Sequence, residues 1–176
     1  GLKMSGETCD VTFLVSDLRG FTALSARMAP HEVIDILNRY LKQMLEIIAR
    51  YRGTVDDLQG DGILVFFGAP LSSDNDPERA VARAIEMQSA MLGINREQKR
   101  LNLPELSMGI GINSGEVVVG NIGSEKRSKH TAIGSALNTA YRIEAYTVGG
   151  QILISPSTYQ KIESQVHIQD TIEVRF

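Results

Sequence analysis

The chain has 176 residues, 43% of them hydrophobic, enough for one domain with a sizeable core. Its net charge of −3 offers no basic face for nucleic acid or anionic lipid. A single cysteine, Cys9, excludes an internal disulfide and suits a reducing compartment, and it reads as a buried strand residue. The longest apolar run, Ile63 to Leu71, is too short to span a bilayer, and no charged-then-apolar leader opens the chain. The segment is therefore expected to be cytoplasmic, with no membrane contact of its own.

Val11 to Val15 is β-branched and aromatic and reads as a buried strand. After Pro30, the stretch from His31 to Arg50 sets Val33, Leu37, Leu41, Met44 and Ile48 at helical spacing, so one face is apolar. Gly60-Asp61-Gly62 divides Thr54–Leu58 from Ile63–Phe67, the pattern of a hairpin whose turn carries an acid. Asp76-Pro77 reads as a cap followed by a first-turn proline. The helix it opens runs toward Arg100 with Ala80, Ala84, Met87 and Met91 on one face and Arg79, Arg83, Arg96 and Arg100 on a solvated one. Leu106–Ile112 and Glu116–Val119 read as strands around Asn113-Ser114-Gly115, a helix follows from about Ser135 to Tyr146, and Gln151–Ser155 reads as a late strand. This order suggests an α/β fold, an α+β sandwich on a ferredoxin-like βαββαβ core.

Two acids stand out against that frame. Asp17 ends the apolar run of VTFLVSDLRGFT, where a charge is costly unless paired, and Asp61 sits in the turn of GTVDDLQGDGILVFFGAP. Either acid alone reads most simply as a turn former or a helix cap. Together, at neighbouring strand ends, they suit Mg²⁺ or Mn²⁺, which take oxygen ligands and leave positions for waters and phosphate oxygens. Between strand and helix, Arg19-Gly20-Phe21-Thr22 offers backbone N–H groups to an anion.

Both segments resemble the class III nucleotidyl cyclase catalytic domain, the adenylate and guanylate cyclases. The resemblance continues through GIGINSGEVVVGNIGS (109–124) and IGSALNTAYRIE (133–144), in the family's order. It implies a single catalytic domain over 1–176 with an added dimerisation hairpin over Val117–Thr131; the opening Gly1-Leu2-Lys3, which looks like a cut through a linker, adds the expectation that the domain is excised from a longer signalling protein. It implies Asp17 and Asp61 as ligands of two divalent cations, Mg²⁺ or Mn²⁺, with the Leu18 carbonyl assisting. Arg19, Gly20, Phe21, Thr22 and Gly60 would then border the phosphates. On the last long helix, Asn138 and Arg142 are four apart on one face, a pair that in isolation is an ordinary solvated one, with Glu144 able to answer Arg142 by charge. The resemblance makes Asn138 the residue that orients the ribose and Arg142 the one that stabilises the transition state. It also places each site between two subunits, so that the expected partners are a nucleoside triphosphate and a second copy of the chain.

Two positions depart from the family's pattern. Adenylate cyclases carry a Lys four residues before the hairpin acid; here that place is Asp57, and an acid can accept from the guanine N1–H and 2-amino group. The second base-reading position maps to Thr131, shared with many microbial adenylate cyclases. Thr131 and the FFGAP segment favour ATP and Asp57 favours GTP; on the sequence, ATP leads and GTP is the runner-up. No residue before Phe176 matches the family's triphosphate-binding Lys, since Lys161 lies too early. A catalytically silent regulatory domain is the reading of another class.

Overall fold

The computed structural model describes residues 5–50, 54–68, 74–124 and 127–174. Its elements follow in the order β1 (Ser5–Leu18), α1 (Phe21–Ser25), α2 (Pro30–Ala49), β2 (Thr54–Gln59), β3 (Gly62–Phe67), α3 (Asp76–Arg100), β4 (Met108–Ser124), β5 (Arg127–Ile133), α4 (Ser135–Ala145), β6 (Ile152–Ile154) and α5 (Pro156–Ile162). Among the described residues one sheet forms in the order β2-β3-β1-β4-β5, and β6 runs parallel to the first half of β4. The four strands β1 to β4 pair antiparallel, with α2 and α3 as crossovers. That is the expected ferredoxin-like core, and β5 extends the second half of β4 as a hairpin. Glu125 and Lys126 lie outside the described residues.

Strand alternation decides what covers each face. On one face Leu14 and Leu18 join Ile63, Val65 and Phe67 under α2, α3 and α5. α2 contributes Ile36, Tyr40, Met44 and Ile48, and α3 contributes Ala80, Ala84, Met87 and Met91. On the other face Val11, Phe13, Val15, Leu64, Phe66 and Val117 meet Ala136, Leu137 and Ala140 of α4. Phe13 and Phe66 pack edge to face there at 6.3 Å. Complete burial of such a side chain contributes about 1.5–3 kcal/mol, so this small cluster is sufficient to fix α4 on the sheet.

Several sequence expectations need correction. Asn113-Ser114-Gly115 is no turn: β4 runs unbroken through it, with Asn113 opposite Phe13 and Ser114 opposite Thr12. The polar side chains are satisfied inside the fold, Ser114 Oγ by Thr12 and Thr158 hydroxyls at 2.9 Å and Asn113 Nδ2 by the Ala136 carbonyl at 2.9 Å. Arg83 is buried rather than solvated and pairs with Glu86, while Arg79 pairs with Asp76 and lies over the Phe67 ring. The N-cap of α3 is Asn75, one residue before the expected Asp76. Cys9 is half-buried. In α2 the deepest stripe is Ile36, Tyr40, Met44 and Ile47–Ile48, with Val33, Leu37 and Leu41 flanking it.

Candidate active site

The two acids converge because β1 lies beside β3. Ser16 pairs with Ile63, so the turn that precedes β3 reaches the end of β1. Gln59 pairs with Gly62 across a two-residue turn, and Gly60 occupies its first position at φ +60°, a left-handed conformation that favours glycine. Asp61 follows, and its Oδ2 accepts the backbone N–H of Leu18 at 2.8 Å. Asp17, opposite Gly109 of β4, caps no helix; the residue that leads into α1 is Gly20, at φ +73°. Buried Phe21 anchors this loop in the core.

A cleft of about 740 Å³ opens at this edge of the sheet. Asp17, Leu18 and Asp61 line it together with the loop from Arg19 to Thr22. Asp57 lines it too, half-buried on β2, with one carboxylate oxygen held by Gln59 Nε2 at 3.1 Å. Gly60 stands at the turn beside it. Asn138 and Arg142 are exposed on α4 and do not line this cleft, although Tyr141 of the same helix does. Thr131 is on β5 opposite Gly120, and its side chain lies outside the described ones.

The residue that sequence reasoning missed is Glu144. It answers Arg19, not Arg142: Arg19 Nη2 donates to Glu144 Oε1 at 2.8 Å and to its main-chain carbonyl at 3.0 Å. Arg19 Nε stands 3.1 Å from Asp17 Oδ1, yet neither atom makes a hydrogen bond, and both are buried. Burial, then a hydrogen bond with Asp17 and the Asp17 charge, push the Glu144 carboxyl up to about 8, against the lowering effect of Arg19. Below this cluster, burial raises the Tyr40 hydroxyl well above its usual range, and it donates to Met108 Sδ at 3.0 Å. The signal for Glu144 was in GIGIN. A Cβ at Gly111 would fall 2.5 Å from the Glu144 nitrogen, and one at Gly109 would overlap Thr147 and lie 3.2 Å from Arg19 Nε. Glycine on one face of β4 is what lets the end of α4 approach the sheet.

The donor set fits a hard cation. Among the described residues no three Asp, Glu, His or Cys side chains gather as a closed metal cage. Two carboxylates are present instead, Asp61 and an Asp17 whose Oδ1 is ion-paired with Arg19 but makes no hydrogen bond, in a cleft with room for waters and phosphate oxygens. Mg²⁺ is bound in this open manner, by one or two carboxylates and substrate phosphates.

Comparison with known proteins decides the family. A family model described as the adenylate and guanylate cyclase catalytic domain matches residues 4–175. The chain belongs to that family. Its members are lyases, and divalent cations and nucleotides are general to them. The crystal structure of the guanylyl cyclase Cya2 is 49% identical, with a TM-score of 0.94, over 98% of this chain and 87% of that one. The adenylyl cyclase CyaB from P. aeruginosa is 35% identical, with a TM-score of 0.89, over 93% of this chain and 85% of that one. An adenylate cyclase of Anabaena cylindrica is 37% identical over 90% of this chain. The chain spans 32% of that relative, and 24% of adenylate cyclase 1 of Rhizobium meliloti (strain 1021), to which it is 29% identical over 89% of its own length. No helix among the described residues is long and apolar enough to cross a membrane.

Proposed function

We propose that this domain converts a purine nucleoside triphosphate, GTP in preference to ATP, to the 3′,5′-cyclic nucleotide and pyrophosphate at sites shared between two copies of the chain. The observation that carries the proposal is the division of the chemistry. Asp17 and Asp61 line one cleft, where Asp61 accepts the Leu18 N–H, while Asn138 and Arg142 are exposed outside it. A head-to-tail homodimer with C₂ symmetry sets the α4 face of one copy against the cleft of the other and makes two equivalent sites.

Each side chain then has a task. Asp17, Asp61 and the Leu18 carbonyl would hold two divalent cations, which would supply Lewis-acid activation of the ribose 3′-oxygen and charge neutralisation for the departing pyrophosphate. The loop from Arg19 to Thr22, with Gly60 beside it, borders the phosphates, because first-turn N–H groups of a helix have no acceptor within it. Asn138 of the other copy orients the ribose. As the 3′-oxygen attacks the α-phosphorus in line, negative charge grows on the phosphoryl oxygens, and the planar Arg142 guanidinium meets it with paired donors.

Base choice turns on Asp57. Its place in the cleft, with one oxygen held by Gln59, leaves a second oxygen to accept the guanine N1–H or 2-amino donors. That placement, and the 49% identity to a guanylyl cyclase, move the preference from the ATP suggested by Thr131 to GTP. ATP is the second reading, supported by the similarity to adenylyl cyclases. The experiment is the ratio of kcat/KM for GTP to that for ATP, in wild type and in Asp57→Lys. A hydrogen bond to a charged group contributes about 1.5–3 kcal/mol, so the ratio should fall by about tenfold to a hundredfold in the variant. An unchanged ratio with both enzymes active removes Asp57 from base recognition, and a wild-type ratio below one contradicts the preference for GTP.

A further inference from the structure

Arg19 and Asp17 present an anomaly that the reaction itself does not explain. A guanidinium 3.1 Å from a carboxylate ordinarily forms a hydrogen bond, but Arg19 Nε and Asp17 Oδ1 are both buried and both lack one. What turns the guanidinium aside is Glu144, which takes Nη2 with its side chain and its carbonyl. The position of Glu144 is in turn fixed from behind. Gly111 admits its backbone against β4, and its carbonyl also accepts from Thr147 Oγ1 at 2.6 Å and Thr147 N at 2.9 Å.

We propose that Glu144 is a positioning residue for the cation site: it holds the Arg19 guanidinium in an ion pair with Asp17 that lacks an aligned hydrogen bond at Oδ1, so that a divalent cation can displace Arg19 from that oxygen. Released from Glu144, Arg19 aligns Nε with Oδ1, tightens the ion pair that already stands at 3.1 Å and competes more strongly with the metal. The inference rests on the reading of Asp17 as a metal ligand. It adds a function for a residue outside the reacting atoms, and it predicts that Arg19 is an inhibitor of metal binding whenever its restraint is lost.

The test is Mn²⁺ binding to the purified domain without nucleotide, followed by the electron paramagnetic resonance of free Mn²⁺, with circular dichroism as the control for folding. Loss of a residue that supports a metal ligand typically weakens affinity about 10–100-fold, and Glu144→Ala should raise the Mn²⁺ Kd by that order. Glu144→Gln should remain within about threefold of wild type, because its amide oxygen still accepts from Arg19. Adding Arg19→Gln to Glu144→Ala should restore affinity, since the competing cation is gone; simple structural damage would not be repaired this way. An unchanged Kd in Glu144→Ala, or no recovery in the double variant, overturns the inference. If Glu144→Ala does not fold, Arg19→Gln alone decides: Mn²⁺ binding as tight as wild type or tighter agrees, and weaker binding contradicts. Failure of the underlying reading looks different, for then wild type binds no Mn²⁺ or Asp17→Asn binds it as well as wild type does.

Discussion

Replacing Asp17 or Asp61 with Asn is expected to abolish cyclic nucleotide formation while the domain stays folded. The substitution is nearly isosteric, and at position 61 the amide oxygen can still accept the Leu18 N–H that ties the hairpin to β1. What is lost is one negative charge from a two-carboxylate site whose chemistry depends on bound cations. Removal of a single preorganised electrostatic group commonly costs about 10²–10³ in kcat, and a metal ligand should lie at or beyond that range. The check is kcat with Mn²⁺ for each variant beside its circular dichroism and thermal transition. Near-normal turnover in either variant removes that residue from the metal site.

The second large effect is restoration. Asp17→Asn inactivates the half of a site that holds cations, and Arg142→Ala inactivates the half contributed by α4. Each homodimer should be nearly inactive. In a mixed dimer one interface combines both defects and the other combines none, so random equimolar mixing should recover up to about a quarter of the wild-type activity. Mixed dimers are verified by co-purification of two differently tagged chains before activity is measured. Mixed dimers that form and remain inactive contradict the two-chain site and require Arg142 to act on its own cleft.

Much of this arrangement was legible in the sequence because it depends on local signals. Asp61 in its glycine turn, the strand leading to Asp17, and the apolar faces of α2 and α3 follow from turn chemistry and periodicity. The continuity of β4 was not legible. Asn113-Ser114-Gly115 has the composition of a turn, and it is overridden by pairing with β1 along Ser5–Leu18 and by hydroxyl partners more than forty residues away on α5. Arg83 was misread for a related reason, since its charge suggested solvent and only the packing of α3 sets it beside Glu86 below the surface. Glu144 was the costliest omission. Its contact with Arg19 crosses 125 positions of sequence, and on α4 alone Arg142 is the nearer charge. The alternating glycines at 109 and 111 were the available clue, because they mark where the end of α4 comes close, by the Glu144 backbone at 111 and the Thr147 side chain at 109.

The chain is expected to cyclise a purine nucleotide, with GTP preferred. The most direct measurement is incubation of the purified domain with equimolar GTP and ATP and excess Mn²⁺, with product analysis by chromatography and mass spectrometry against authentic cyclic nucleotides. The expected outcome is 3′,5′-cyclic GMP as the main product, equimolar pyrophosphate, and cyclic AMP as a minor product. Predominant cyclic AMP would contradict the assignment of Asp57 to the base, and the absence of both products from a folded dimer with cation bound would contradict the catalytic reading itself.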